Sequence, residues 1–481
     1  MTPVAQNLRA LTLSLALAFL VASLGVGYWT LVASEELSHD PFNPRLVAAT
    51  RDRPRGNIVD AKGRVLASSQ PSPQGSAQRF RRVYADRSLA QVVGYASFTF
   101  GVSGAEGAYG ETLVGQDPGD PVGQWRARYL GEHAPPATVV LGIDPAVQQA
   151  AATALGARRG AIVALDPRTG AILASVSMPN FDSGLVSDPR TEELSWQQLN
   201  GNKERPLINR VTQGLYPPGS VFKIITGAAA LESGFDPNAK VRVDDPWRAD
   251  PSWGAYAVRS AAKAHGDFDM ARAYQQSENI YFAKVGLQIG GAKIAEYAQR
   301  FGIGSTPKVD LPAAAGQVSN SRALDRPTLI ADTSFGQGEL LVSPLQMCLL
   351  AAAIGRSGVM PTPHYAVEVR DAQGHVVRSI TPGPSGQVVR PDTAQKLTQL
   401  LVGAVEAPGA FAFGAKIPGV SVAGKTGTAE NPAGSPHGWF IGFAPANDPT
   451  VAVAVLIENA TEGGVDAAPL GAAVMRAALG K

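Results

Sequence analysis

Residues 10–33, ALTLSLALAFLVASLGVGYWTLVA, carry no charged side chain. That length matches the roughly 20 apolar residues a helix needs to cross a bilayer. Arg9 and the amino terminus precede the run, and Glu35, Glu36 and Asp40 follow it. The positive flank predicts a cytoplasmic tail (residues 1–9), a transmembrane anchor (residues 10–33) and an extracytoplasmic remainder. Tyr28 and Trp29 suit the outer interface. A cleaved signal peptide is the alternative, since Val32-Ala33-Ser34 offers a small-residue cleavage site. The run is long for a signal core of roughly 7–15 residues. Either way, residues from 34 onward leave the cytoplasm.

The chain has 481 residues, 45% hydrophobic and 17% charged. This predicts a packed core and two or three domains at about 150 residues each. A formal net charge of +2 with no basic block gives no ground for nucleic-acid binding. Cys348 is the single cysteine, so no intrachain disulfide forms. The histidines show no zinc-binding spacing. Neither a metal nor a cofactor is expected.

After a Pro-rich, charged stretch at 40–54, residues 57–60 and 64–67 read as hairpin strands around Lys62-Gly63. Residues 72–120 are rich in Gly and Ser. Residues 34–139 are therefore expected to form a small, irregular, β-rich module. From 140 the pattern changes. Apolar runs at 160–165 and 171–176 flank the turn Asp166-Pro167-Arg168-Thr169-Gly170, as in a buried hairpin. Helical patterns follow at 221–231, 280–289, 292–301 and 343–354. Strands return at 438–444 and 451–458, and an apolar helix closes the chain at 469–479. Strands, then helices, then strands predict one α/β (α+β) domain over 140–481, with a mostly antiparallel sheet flanked by helices.

Three short motifs carry chemistry. In Tyr216-Pro217-Pro218-Gly219-Ser220-Val221-Phe222-Lys223 the turn places Ser220 at a helix start. Lys223 shares its face three residues on. A lysine in a buried helix loses proton affinity and becomes a base for a serine hydroxyl. The bland alternative is a capping serine and a surface lysine. Ser277-Glu278-Asn279 precedes an apolar helix, and read alone it is a helix cap.

The third motif is Gly424-Lys425-Thr426-Gly427-Thr428. With Gly419 it satisfies a phosphate-loop pattern. The flanks oppose that reading, because 415–418 make a poor buried strand and the residues after Thr428 a poor helix. As a strand, 421–428 puts Lys425 and Gly427 on one face. The bare Gly427 is expected to let a substrate lie along the strand.

Ser-x-x-Lys, Ser-x-Asn and Lys-Thr-Gly in this order occur together in penicillin-binding proteins and class A β-lactamases. The chain resembles the class B (monofunctional) penicillin-binding proteins. The likeness extends to Arg55-Gly56-Asn57-Ile58-Val59-Asp60, Gly104-Ala105-Glu106, Asn209-Arg210, Phe335-Gly336-Gln337-Gly338, Ser343-Pro344-Leu345-Gln346 and Trp439-Phe440-Ile441-Gly442. The intervening module is short, as in the compact actinobacterial type.

The resemblance implies a penicillin-binding/β-lactamase-like transpeptidase fold on a pedestal, dimerisation-like module. It implies a peptidoglycan D,D-transpeptidase with Ser220 as nucleophile and Lys223 as base. Ser277 would relay a proton, Asn279 would hold the donor peptide, and Lys425, Thr426, Gly427 and Thr428 would line its carboxylate end. Expected partners are stem peptides on lipid-linked nascent glycan, β-lactam antibiotics, the cell membrane and a SEDS-type (RodA/FtsW-like) glycan polymerase. A β-lactamase or a β-lactam- or muropeptide-binding sensor are the alternatives. No Glu-x-x-Leu-Asn string for a deacylating water lies between Asn279 and Lys425.

Overall fold

The computed structural model describes residues 3–31, 53–74, 79–115, 122, 125, 134–321, 323–431, 434–460 and 464–481. The expected cleavage site and most of the Pro-rich stretch lie outside them. Helix α1 (Pro3–Leu31) is continuous, and its span from Asn7 to Thr30 is not buried against the rest of the protein. It is apolar on all sides with no protein core against it, which is the pattern of a lipid-facing helix. The Thr12 and Thr30 hydroxyls donate back to the Leu8 and Val26 carbonyls. Their polarity is thus satisfied within the helix.

The expected hairpin is present as β1 (Ile58–Val59) and β2 (Val65–Pro71). Asp60 shapes its turn by accepting from the Lys62 and Arg64 amides. The strands β3 (Phe80–Tyr84) and β4 (Thr138–Leu141) join them. This module is less irregular than its composition predicts, with short helices at Ala90–Val93, Gly104–Ala108 and Gly110–Leu113. Buried Glu106 organises it. Its carboxylate accepts from Arg55 Nε at 2.8 Å and Arg82 Nε at 2.5 Å.

Helix α2 (Pro145–Leu155) leads into the buried hairpin β5 (Gly160–Leu165) and β6 (Ile172–Met178). The helices α3 (Lys223–Glu232), α4 (Asn279–Ile289), α5 (Gly291–Arg300), α6 (Pro327–Ser334) and α7 (Pro344–Gly355) form a largely helical middle. Ser343 and Gln346 close a reciprocal capping box at the start of α7. Strands β7 (Ala366–Arg370) and β8 (Val376–Ser379) follow, then helix α8 (Pro391–Glu406). The chain ends in β9 (Ala423–Ala429), β10 (His437–Ala444), β11 (Val451–Ile457) and α9 (Gly464–Ala478).

Two sheets result. The first has the order β8-β7-β4-β1-β2-β3, and the second β9-β10-β11-β5-β6, antiparallel throughout. In the second sheet β10 and β11 are wholly buried, because α7 covers one face and α2 with α9 the other. Burial on both faces explains their unbroken apolar runs. Cys348 lies inside α7, fully buried against the carbonyls of Val163 and Ala452.

Strand β4 runs across the expected 139/140 boundary, and β7–β8 from the later region complete the first sheet. Strand pairing, which sequence composition does not register, joins the two parts. The last helix begins at Gly464, so Pro469 lies within it. A proline there removes one intrahelical donor, and its ring packs beside Gly414.

Candidate active site

Ser220 lies in a single 3-10 turn, Gly219–Phe222, that runs directly into α3. Two glycines make that turn possible. Gly219 has φ +56°, and a Cβ on it would stand 2.5 Å from the Thr428 carbonyl oxygen. Gly336 has φ +90°, and a Cβ there would stand 1.7 Å from the Gly219 carbonyl oxygen. Only glycine tolerates both the angle and the approach. The Gly219 N–H donates to the Gly336 carbonyl at 2.8 Å. The Trp439 indole donates to the Pro217 carbonyl at 2.9 Å. Three backbone segments thus fix one turn, leaving Ser220 half-buried between the buried Gly219 and Val221.

Lys223, one helical turn on, is fully buried. Its Nζ lies 2.9 Å from Ser220 Oγ, 2.6 Å from the Ser277 carbonyl oxygen and 2.7 Å from Asn279 Oδ1. Asn279 Nδ2 donates to the Arg259 carbonyl, so Oδ1 faces the lysine. Two of these partners can only accept, whereas a hydroxyl can also donate. A neutral amine therefore gives its two N–H groups to Ser277 and Asn279 and offers its lone pair to the Ser220 O–H. Burial drives the amine in that direction, holding its proton affinity well below that of a free lysine. Nearby Lys425 adds to the effect and Glu278 opposes it.

Ser277 is held at φ +52°, an uncommon angle for a non-glycine residue. Its Oγ accepts from Lys425 Nζ at 2.7 Å. Contrary to the capping reading, neither Ser277 nor Asn279 caps α4. Glu278 does, accepting from the Ile280 amide at 2.9 Å and from Ser260 Oγ at 2.5 Å. The acidic cap leaves both neighbours free to face the lysines.

Lys425 comes from β9, the strand at the sheet edge beside the serine turn. It is buried, and burial lowers its pKa to about 7. Gly427 does share its face, but the expected open lane beside it is filled. A Cβ would stand 2.9 Å from the Pro218 carbonyl oxygen and 3.1 Å from Val221 Cγ1. The glycine therefore admits the serine turn itself. Thr426 is buried against Gly464, also contrary to expectation, while Thr428 is exposed. Thr428 Oγ1 accepts from the Gly464 amide at 3.2 Å. Its carbonyl accepts from Gln337 Nε2 at 3.4 Å. A strand residue's N–H and C=O point to the same edge, so the Thr428 N–H also faces the serine turn.

The structure thus brings Ser220, Lys223, Ser277, Asn279 and Lys425 into one hydrogen-bonded cluster. Sequence reasoning missed Gly336, Glu278, Ser260 and Tyr274. The Tyr274 hydroxyl donates to the Lys223 carbonyl, close over Gly227. The Phe335-Gly336-Gln337-Gly338 string was the available signal for the first of these.

Residues 160–476 match the penicillin binding protein transpeptidase domain, and residues 55–139 the penicillin binding protein A dimerisation domain. The chain belongs to the penicillin-binding protein transpeptidases. The peptidoglycan D,D-transpeptidase PbpA of Mycolicibacterium smegmatis is 34% identical, over 93% of this chain and 93% of that protein. PbpA of Mycobacterium tuberculosis H37Rv is 33% identical, over 98% and 99%. Among solved structures, the ceftriaxone acyl-enzyme of M. tuberculosis penicillin-binding protein A superposes with a TM-score of 0.82. It shares 31% identity and covers 90% of this chain and 100% of its own. The penicillin G acyl-enzyme of that protein gives 0.79 and 32%, over 89% and 100%. These penicillin-binding protein relatives match in length, as the compact type requires.

Proposed function

We propose that this chain is a peptidoglycan D,D-transpeptidase in which Ser220 carries the acyl group. The observation behind this reading is Lys223, whose contacts leave its lone pair to the Ser220 hydroxyl. The proton passes to Lys223 as Oγ attacks the carbonyl of the penultimate D-alanine. The backbone N–H groups of Ser220 and Thr428 receive the oxyanion, at about 3–4 kcal/mol per donor. Ser277, bridging the two lysines, relays a proton to the departing D-alanine nitrogen. Asn279 holds the donor peptide. Lys425 and Thr428 attract its terminal carboxylate, with Thr426 and Gly427 shaping the strand beneath.

An amine of a neighbouring stem peptide then attacks the acyl-enzyme and forms the cross-link. A β-lactam enters as a mimic of D-alanyl-D-alanine and stays on Ser220. Helix α1 anchors the protein in the cell membrane with the catalytic part outside. Residues 34–139 act as a pedestal for the transpeptidase unit of 140–481. Glycan polymerisation comes from a separate SEDS-type partner. The test is D-alanine release from a stem pentapeptide by the full chain in detergent. Release that needs both Ser220 and Lys223 supports the reading; release by Ser220→Ala refutes it.

A further inference from the structure

The two oxyanion donors come from different segments, the Ser220 N–H from the 3-10 turn and the Thr428 N–H from β9. The approach of Lys223 to Ser220 is set within one helical turn, but the spacing of the two donors is not. It depends on how the serine turn is docked against the sheet. A buried ion network outside the reacting cluster makes that connection.

Glu458 follows directly on β11, and its side chain is only 7% exposed. Its Oε1 accepts from Arg210 Nε at 2.7 Å and from the Tyr216 hydroxyl at 2.8 Å. Its Oε2 lies 2.9 Å from an Arg159 guanidinium nitrogen. The other Arg210 nitrogens donate to the Arg205 and Glu204 carbonyls, at 3.1 and 2.6 Å. A buried ion pair adds little net stability, because desolvation offsets the attraction. Its best-attested effect is to fix one register. Here it ties the segment before the serine to the sheet that carries Lys425.

Tyr216, four residues before Ser220, is pinned by both its backbone and its side chain. Its backbone exchanges two hydrogen bonds with Val342, at 3.0 and 2.9 Å. Its ring meets those of His437 and Trp439, both on β10, edge-on at centroid distances of 5.5 and 6.4 Å. Gly214 leaves room for the ring, since a Cβ there would stand 2.6 Å from Tyr216 Cε2. Burial and the Glu458 charge raise the phenol pKa, so the hydroxyl remains a donor. Pro217 and Pro218 follow, and their rings restrict φ to about −65°. A shift of Tyr216 therefore passes along a stiff link to the serine turn.

We propose that Glu458 is a positioning residue that acts through Tyr216 to hold the Ser220 N–H in register with the Thr428 N–H. This rests on the transpeptidase reading above. Neither side chain belongs to the cluster around Ser220, so their loss should slow acylation without weakening the first encounter.

The test is stopped-flow acylation of the full chain in detergent by a chromogenic cephalosporin. Its concentration dependence separates the acylation rate constant from the Kd of the non-covalent complex. Titration with a fluorescent penicillin counts the serines able to react. Misfolding lowers that count but leaves the rate constant of the remaining molecules unchanged. Tyr216→Phe keeps the ring and removes only the hydroxyl. It is expected to lower the rate constant about tenfold at unchanged Kd. Glu458→Ala should fall at least as far, and the double variant no further than Glu458→Ala, because both act through one contact. An unchanged rate constant in Tyr216→Phe, or a rise in Kd alone, overturns the positioning role whatever happens to the melting temperature. Independent losses that multiply in the double variant overturn it as well. Tyr216→Phe carries the test if Glu458→Ala fails to fold. No acylation of the wild type removes the transpeptidase reading instead, and the positioning role with it.

Discussion

Lys223 Nζ lies 2.9 Å from Ser220 Oγ, and its shortest other contacts are the Ser277 carbonyl and Asn279 Oδ1, which can only accept. The amine is therefore placed as a proton acceptor for one hydroxyl. Removing it as Lys223→Ala should slow acylation by about 10²–10⁴. Lys223→Arg should not restore the rate, because a guanidinium stays protonated. Stopped-flow acylation by a chromogenic cephalosporin measures both, and full rescue by arginine would exclude the base role.

The pH dependence carries a definite sign. Lys223 has a depressed proton affinity, so acylation should rise with pH as it sheds its proton and then level. Lys425 titrates at about 7. Attraction of a substrate carboxylate should weaken above that pH, seen as a rising KM in the alkaline arm. A flat profile across neutrality would contradict both assignments.

Lys425 also has a consequence for stability. Its ordinary pKa of 10.5 falls to about 7 in the fold. Between those values the unfolded chain binds more protons, so stability rises with pH across the window. Lys425→Met should raise the melting temperature at neutral pH and abolish that rise, while losing activity. Calorimetry from pH 7 to 10 decides it, and an equal slope in wild type and variant would refute the buried neutral lysine.

Gly336 never touches substrate in this account, yet it supports the nucleophile. With φ +90° and the Gly219 carbonyl 1.7 Å from a would-be Cβ, Gly336→Ala must push the serine turn away. Labelling of Ser220 should fall by two orders of magnitude or more, and stability by roughly 1–3 kcal/mol. Ordinary labelling by the variant would mean that the contact is dispensable.

Much of this was legible in the sequence because local rules set it. The unbroken apolar runs of β10 and β11, the Pro-Pro-Gly turn before Ser220 and the capping of α7 are written in neighbouring residues. The pairing of β7 with β4 was not, because residues over two hundred positions apart meet there. The space beside Gly427 was misjudged for the same reason. One strand shows which face a glycine occupies, and only the packed turn shows what fills it. Ser277 and Asn279 looked like caps because a glutamate cap is a less favoured choice. Burial of Glu278 against Ser260 makes it work here.

The central claim is that Ser220 forms a lasting acyl-enzyme. The most direct measurement is labelling of the full chain with a fluorescent penicillin, wild type against Ser220→Ala, on a denaturing gel. The account predicts a covalent band that requires Ser220 and persists for many minutes. No band from folded wild type, or an equal band from Ser220→Ala, would contradict it.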